Sequence, residues 1–178
     1  MNIFILSDKG PQDNARQHCD KHVVKMVLET AQMLCGAHQF YGSPQPYTMS
    51  AGHMKHPCSL WVQHSLENYD YLYELGLELG DEYTFRYGKR HVSSEIIEAL
   101  PYPRNLIPSR GRSPFACAFK KGAGFEDELR DIARESVVEA YQWYYVYDKS
   151  SFAKWKTRGE PAWFTEKLAI ANELKLLA

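Results

Sequence analysis

The sequence lacks any apolar run long enough to span a bilayer, any internal repeat and any low-complexity linker. It also lacks a Walker loop, G-x-G-x-x-G, G-x-S-x-G and H-E-x-x-H, so no compact phosphate, dinucleotide, serine-hydrolase or zincin signature is present. Cysteine is sparse: Cys19, Cys35, Cys58 and Cys117 are dispersed, with no C-x-x-C pair. Without a secretory signal, such cysteines read as buried thiols rather than a disulfide framework. Met1 to Leu6 is apolar but too short for a signal or a span, and Asp8 follows at once. A cytoplasmic protein with no membrane partner is therefore expected. Charge of one sign is missing too. The formal net charge is −1, so an anionic partner must be held by local patches rather than by bulk charge.

What is present suits one globular domain spanning residues 1–178. The chain is 44% hydrophobic and 24% charged, enough apolar material for a core. Asn2 to Leu6 reads as a short extended segment closed by the turn at Ser7 to Pro11. The apolar period then predicts a long helix from Asp13 to His38, with Gly36 as its stop signal. Residues Gly42 to His56 form an irregular loop, and Pro57 opens a second long helix reaching Tyr87. Ser93 and Ser94 are candidate caps for a short helix ending before Pro101. A Pro/Gly-rich surface loop follows, through Pro101, Pro103, Pro108, Gly111 and Pro114. A third helix is expected over Glu126 to Tyr147, with helical pieces near Phe152 and after Pro161. No stretch alternates long enough for a sheet. The class is all-α.

Chemistry concentrates on the first helix. A helical wheel begun at His18 puts Val23, Val24, Val27, Leu28, Ala31, Leu34 and Cys35 on the core side. His18, Lys21, His22, Lys25, Glu29 and Gln32 fall opposite, as one stripe. Two imidazoles a turn apart, beside two lysines and a carboxylate, suit acid–base work near neutral pH. A solvated helix side with incidental histidines has the same pattern. Asp20 falls near the centre of the apolar face, where an unpaired carboxylate costs several kcal/mol, so it needs a partner. Arg86 and Asn68 are the candidates.

On the second helix Gln63, Glu67, Asp70, Glu74, Glu78 and Asp81 form an acidic wall that reads as a solvated face. Its end interleaves aromatics with Arg86, Lys89, Arg90 and His91, as a nucleic-acid surface requires. Arg104, Arg110, Arg112, Lys120 and Lys121 make a second basic segment, and Lys154, Lys156 and Arg158 around Trp155 a third. His53, His56, Cys58, His18, Cys19 and His22 include metal-ligand types, yet their spacings match no zinc signature, so no metal is expected. The run from Trp143 to Tyr147 reads as core more than as a stacking platform.

The order of features carries a resemblance: a short apolar start, the Lys21-His22-Val23-Val24-Lys25 helix, the His56-Pro57 turn, a long helix closing on Glu82 to Lys89, and a late Trp/Tyr-rich segment. This layout resembles the pyrimidine dimer DNA glycosylases of the phage endonuclease V type. That resemblance implies a small all-α enzyme without a cofactor, of DNA repair or modification, that cuts the glycosidic bond at a pyrimidine and nicks the abasic site. It implies a phage-encoded protein working in the host cytoplasm. The family carries an Arg-Glu pair and a further Arg on its first helix, where this chain has Lys21, His22 and Lys25. Its nucleophile is an α-amine freed by methionine removal, whereas bulky Asn2 here retains Met1.

The reading that follows is an enzyme acting on DNA or a nucleotide. His18, Asp20, Lys21, His22, Lys25 and Glu29 form its candidate catalytic set, with Lys25 or Lys21 as the amine. Arg86, Lys89, Arg90, His91, Arg110 and Arg112 grip nucleic acid. The alternative is a non-catalytic module that binds a host protein or a nucleotide through the same stripe.

Overall fold

The computed structural model describes residues 1–174, and these form helices joined by loops, with no strand among them. In chain order the helices are α1 (Pro11–Gln17), α2 (Asp20–Phe40), α3 (Ala51–Met54), α4 (Pro57–His64), α5 (Leu66–Tyr87), α6 (Val92–Ala99), α7 (Glu126–Glu135), α8 (Val137–Lys149) and α9 (Ala162–Glu173). The all-α expectation holds. No described helix is long and apolar enough to cross a membrane.

Each of the three long helices expected from the sequence is interrupted once. The first breaks at His18 and Cys19, both in extended conformation. The second breaks at Ser65 and the third at Ser136, and each serine caps the next helix by accepting a backbone N–H, from Asn68 and Glu139 respectively. A side-chain cap replaces one of the bonds a helix start cannot make for itself. Gly36 is no stop signal: it lies inside α2, where a Cβ would run into the Met49 side chain. Near Phe152 there is only a turn. At α6 the cap is the His91 ring, which accepts from the Ser93 N–H, rather than Ser93 or Ser94.

The core sits where α2 crosses α5, with α1, α4 and α6 packed around the pair. Gly76 lets α5 come close to its neighbours; a Cβ there would lie 2.7 Å from Thr30 Cγ2 and 3.0 Å from Ile97 Cδ1. Through this core runs the N-terminal segment. Ile3, Phe4, Ile5 and Leu6 are all buried, yet no strand lies beside them. Their backbone groups must still find partners away from water. Side chains supply these: Asn14 donates to Phe4 O at 3.0 Å and accepts from Leu6 N–H at 2.7 Å. Gln142 donates to Leu6 O at 3.1 Å, and Glu29 accepts from Asn2 N–H at 3.1 Å. The last of these bonds aims the Glu29 carboxylate toward the start of the chain.

Candidate functional site

Of the stripe read from the sequence, Lys21 lines one cleft, His22, Lys25 and Glu29 line another, and His18 and Gln32 line neither. The break at His18 and Cys19 takes His18 off the α2 surface. It is 1% exposed, and its Nδ1 donates to Asn14 O at 2.8 Å. Burial, reinforced by the Arg86 charge, pulls its pKa down to about 4. His22 turns inward as well, 5% exposed, stacked on Phe4 at 4.6 Å and bonded through Nδ1 to the Tyr145 hydroxyl at 2.5 Å. Burial and the neighbouring His18, Lys149 and Lys25 push its pKa to about 2. Both imidazoles are therefore neutral at pH 7, which corrects the expectation that they titrate there. The wheel also misplaced Val24 and Leu28, which are 38% and 37% exposed.

Lys25 and Glu29 do share a cleft, of ≈ 240 Å³. Phe4, His22, Phe119 and Tyr144 give it aromatic walls, and Lys25, His56, Lys120, Lys149 and Met1 line it as well. Glu29 is 8% exposed but well provided with donors. Its Oε1 lies 3.2 Å from Lys25 Nζ and 3.8 Å from the Met1 amine, while Oε2 accepts from Asn2 N–H. Lys25 keeps 62% of its side chain exposed, so its amine reaches both the carboxylate and solvent. Lys120 and Lys149 pair with Asp148 at 3.7 and 2.5 Å. The three lysines and the Met1 amine outnumber the two carboxylates they meet, Glu29 and Asp148, so the cleft suits an anionic ligand.

Sequence reasoning did not group His56, Lys120 and Lys149 with Lys25. The first signal was the His56-Pro57 pair, since the His56 ring caps α4 by accepting from Cys58 N–H. Burial lowers the His56 pKa, with the nearby N-terminal charge adding to the effect. Lys120 and Lys149 come from a loop and from the end of α8, and no local pattern links either to α2.

Asp20 and Lys21 lie elsewhere. Asp20 is not centred in the apolar face. It sits at the edge, where Oδ1 accepts from Arg86 at 2.9 Å and Oδ2 from Lys156 N–H at 3.0 Å. Of the two proposed partners Arg86 is the real one. Asn68 instead binds Trp61 O and Ser113. Arg86, expected to grip phosphate, has a side chain only 1% exposed. It donates to Asp20, to Glu82 at 2.6 Å, and to the carbonyls of His18 and Arg16 that the helix break leaves open. Burial alone would raise the Glu82 carboxyl, but bonds and charge from Arg158 and Arg86 hold it below its ordinary range.

The other expected nucleic-acid residues are scattered. Lys89 is exposed, Arg90 pairs with Glu98, and His91 is committed to its cap. Arg110 and Arg112 stay exposed on their loop, with the Arg112 guanidinium 5.6 Å from Tyr71 and 5.7 Å from Phe115. Gln63 departs from the solvated acidic wall, being 4% exposed. Trp155 is buried and bonded to Gln17 O, so it does not stack between the lysines that flank it.

No protein-family model, curated protein or solved structure matches the chain. The geometry carries the functional argument alone.

Proposed function

We propose that this protein is an enzyme of the DNA glycosylase and abasic-site lyase class, acting at a pyrimidine base with Lys25 as its amine and Glu29 as the carboxylate partner. The observation that carries the reading is the 3.2 Å Lys25–Glu29 pair, set in a cleft with aromatic walls and further lysines. An ammonium has no lone pair, and a carboxylate at this distance can take its proton. The freed nitrogen then bonds to sugar C1′ as the C1′–base bond breaks. The electron pair leaves with the base, which takes up a proton. Ring opening converts the adduct to an imine; loss of a C2′ proton then expels the 3′-phosphate with the C3′–O electron pair, and water hydrolyses the imine to free the amine. Phe4, Phe119 and Tyr144 offer the apolar faces a flipped base needs, while the lysines meet its phosphates. At ≈ 240 Å³ the cleft lies below the ~300–1,000 Å³ of drug-sized sites. A single ring system suits it better than a dinucleotide. His22 serves in this scheme as a neutral wall and hydrogen-bonding group.

Borohydride added during turnover of pyrimidine-damaged DNA should trap a covalent protein–DNA adduct. Lys25→Ala should abolish the adduct, and Glu29→Gln should slow base release by about 10²–10⁴-fold. Peptide mapping locates the amine; an adduct on the Met1 peptide would transfer the attack to the amine 3.8 Å from the same carboxylate. Binding of the strand with neither adduct nor free base would leave the cleft as a non-catalytic module and end the enzyme reading.

A further inference from the structure

Beside the Glu29 cleft lies a larger groove, of ≈ 740 Å³, lined by Asp20, Lys21, Val24, Tyr87, Ser151, Phe152, Lys154 and Lys156. Its three lysines form no ion pair among the described residues. Its one carboxylate, Asp20, is already engaged by Arg86 and by the Lys156 N–H. The groove therefore presents positive charge with no local anion left to neutralise it. It also presents rings. Tyr87 is 41% exposed, while the half-buried Phe152 carries Lys21 Nζ over its face, 5.0 Å from the ring centre. Phe152 is shared ground between the two clefts: it lies 5.6 Å from the His22 ring and 6.0 Å from Lys149 Nζ, both of which line the Glu29 cleft. Lys21 and Lys25 are one helical turn apart on α2, one in each cleft.

We infer that this groove is a binding track for single-stranded nucleic acid. Lys21, Lys154 and Lys156 meet successive phosphates, Tyr87 offers its face to a base, and the strand passes Phe152 into the Glu29 cleft. Cations beside accessible rings are what a strand requires, since phosphates need charge and unpaired bases need flat apolar partners. Only the strand's direction rests on the proposed role of the Glu29 cleft. The groove itself is tested with undamaged strand, which contains nothing to cleave.

The experiment is fluorescence anisotropy of the intact protein with a short, fluorescein-labelled, undamaged single strand across a salt series. Three phosphate contacts at about 0.7 each predict a slope of log K against log salt near −2. Lys154→Glu combined with Lys156→Glu should lower affinity at least tenfold and flatten the slope to about −0.7, the share of a single contact. Tyr87→Leu should weaken binding severalfold and leave the slope unchanged. Arg110→Glu with Arg112→Glu should alter neither. Melting curves and circular dichroism of each variant show that it is folded. Wild-type affinity in the Lys154/Lys156 variant, or loss in the Arg110/Arg112 variant instead, would overturn the assignment. So would equal competition by inorganic polyphosphate together with an unaffected Tyr87→Leu, because charge alone would then explain the binding. Strand binding without a borohydride adduct would count against the cleft chemistry alone, and an adduct without groove-dependent binding against the track alone.

Discussion

Arg86 is turned inward by what surrounds its helix position. The break between α1 and α2 leaves carbonyls of Arg16 and His18 without helical partners, and its guanidinium reaches both while also meeting Asp20 and Glu82. A planar fork of five donors can serve four acceptors at once, which a lysine cannot. Arg86→Met should therefore destabilise the fold by about 3–5 kcal/mol in chemical denaturation, because Asp20 loses its ion pair, Glu82 keeps only Arg158, and two backbone carbonyls lose their donor. Asp20→Ala should cost less, about 2 kcal/mol, since its side chain keeps 17% exposure and water can replace part of what is lost. Equal melts for wild type and Arg86→Met would refute this account. The histidines give a second test at this scale. His18 and His22 have folded pKa values of about 4 and about 2, below the ordinary 6.5. Protonation thus favours the unfolded chain. Their contribution is fully present above pH 6.5 and is lost as pH falls below it, at about 1.4 kcal/mol per pH unit for each imidazole. Melting temperature should decline from pH 6.5 toward pH 4, and His22→Phe should make that decline shallower. A flat profile over that range would show that the imidazoles are not neutral in the fold.

The three helix interruptions show how an element can hide its own boundaries. Hydrophobic periodicity continues across Ser136, so the third helix reads as one from Glu126 onward. Ser136 and Glu139 nevertheless have the Ser-x-x-Glu spacing of a helix start, and in the fold Ser136 Oγ accepts the Glu139 N–H at 3.2 Å. That boundary was legible in the sequence. Ser65 bonds Asn68 in the same way, but the preceding Pro57 had already supplied a plausible start. Ser65→Ala should cost about 1 kcal/mol, the usual worth of an N-cap, as a lower midpoint with unchanged denaturant dependence. Ser65→Gly should recover most of the loss, since glycine is tolerated at a cap. If both substitutions leave the midpoint unmoved, the bend at Ser65 is held by packing alone. The break at His18 has no such signal. It depends on Arg86, sixty-eight residues away, accepting the task of capping it.

At the scale of the molecule, the decisive feature is a buried N-terminal segment that belongs to no helix and no sheet. Asn14 satisfies it from one side by bonding both Phe4 and Leu6, and is itself 0% exposed. Asn14→Ala would leave a buried N–H and a buried carbonyl unpaired, each costing about 1–3 kcal/mol. A loss of about 3 kcal/mol is expected, with faster hydrogen exchange at the Leu6 amide than at amides within α5. Exchange that is uniform between the two would mean the segment is not held this way. The effect reaches the site, because the same segment places the Asn2 N–H on Glu29. The proposed chemistry then requires base release to fall in Asn14→Ala, even though the residue lines neither cleft.

The amino-acid pattern by itself determined the all-α class, the positions of most helical stretches and the loop between α6 and α7, because periodicity, proline and glycine act locally. It also placed Lys25 and Glu29 one turn apart, since residues four apart on a helix share a face. What only the tertiary structure decided was which polar residues remain on the surface. A wheel gives relative angles along a helix but not which arc is buried, and packing of Phe4 and Tyr145 onto α2 buried the arc that holds His22, Met26 and Met33 while Val24 stayed exposed. Arg86 left the surface for a similar reason, drawn in by carbonyls that exist only because a helix ends nearby. The company kept by Glu29 was likewise out of reach. Lys120, Lys149 and His56 arrive from three separate elements, and their meeting depends on long-range packing that no local sequence window contains.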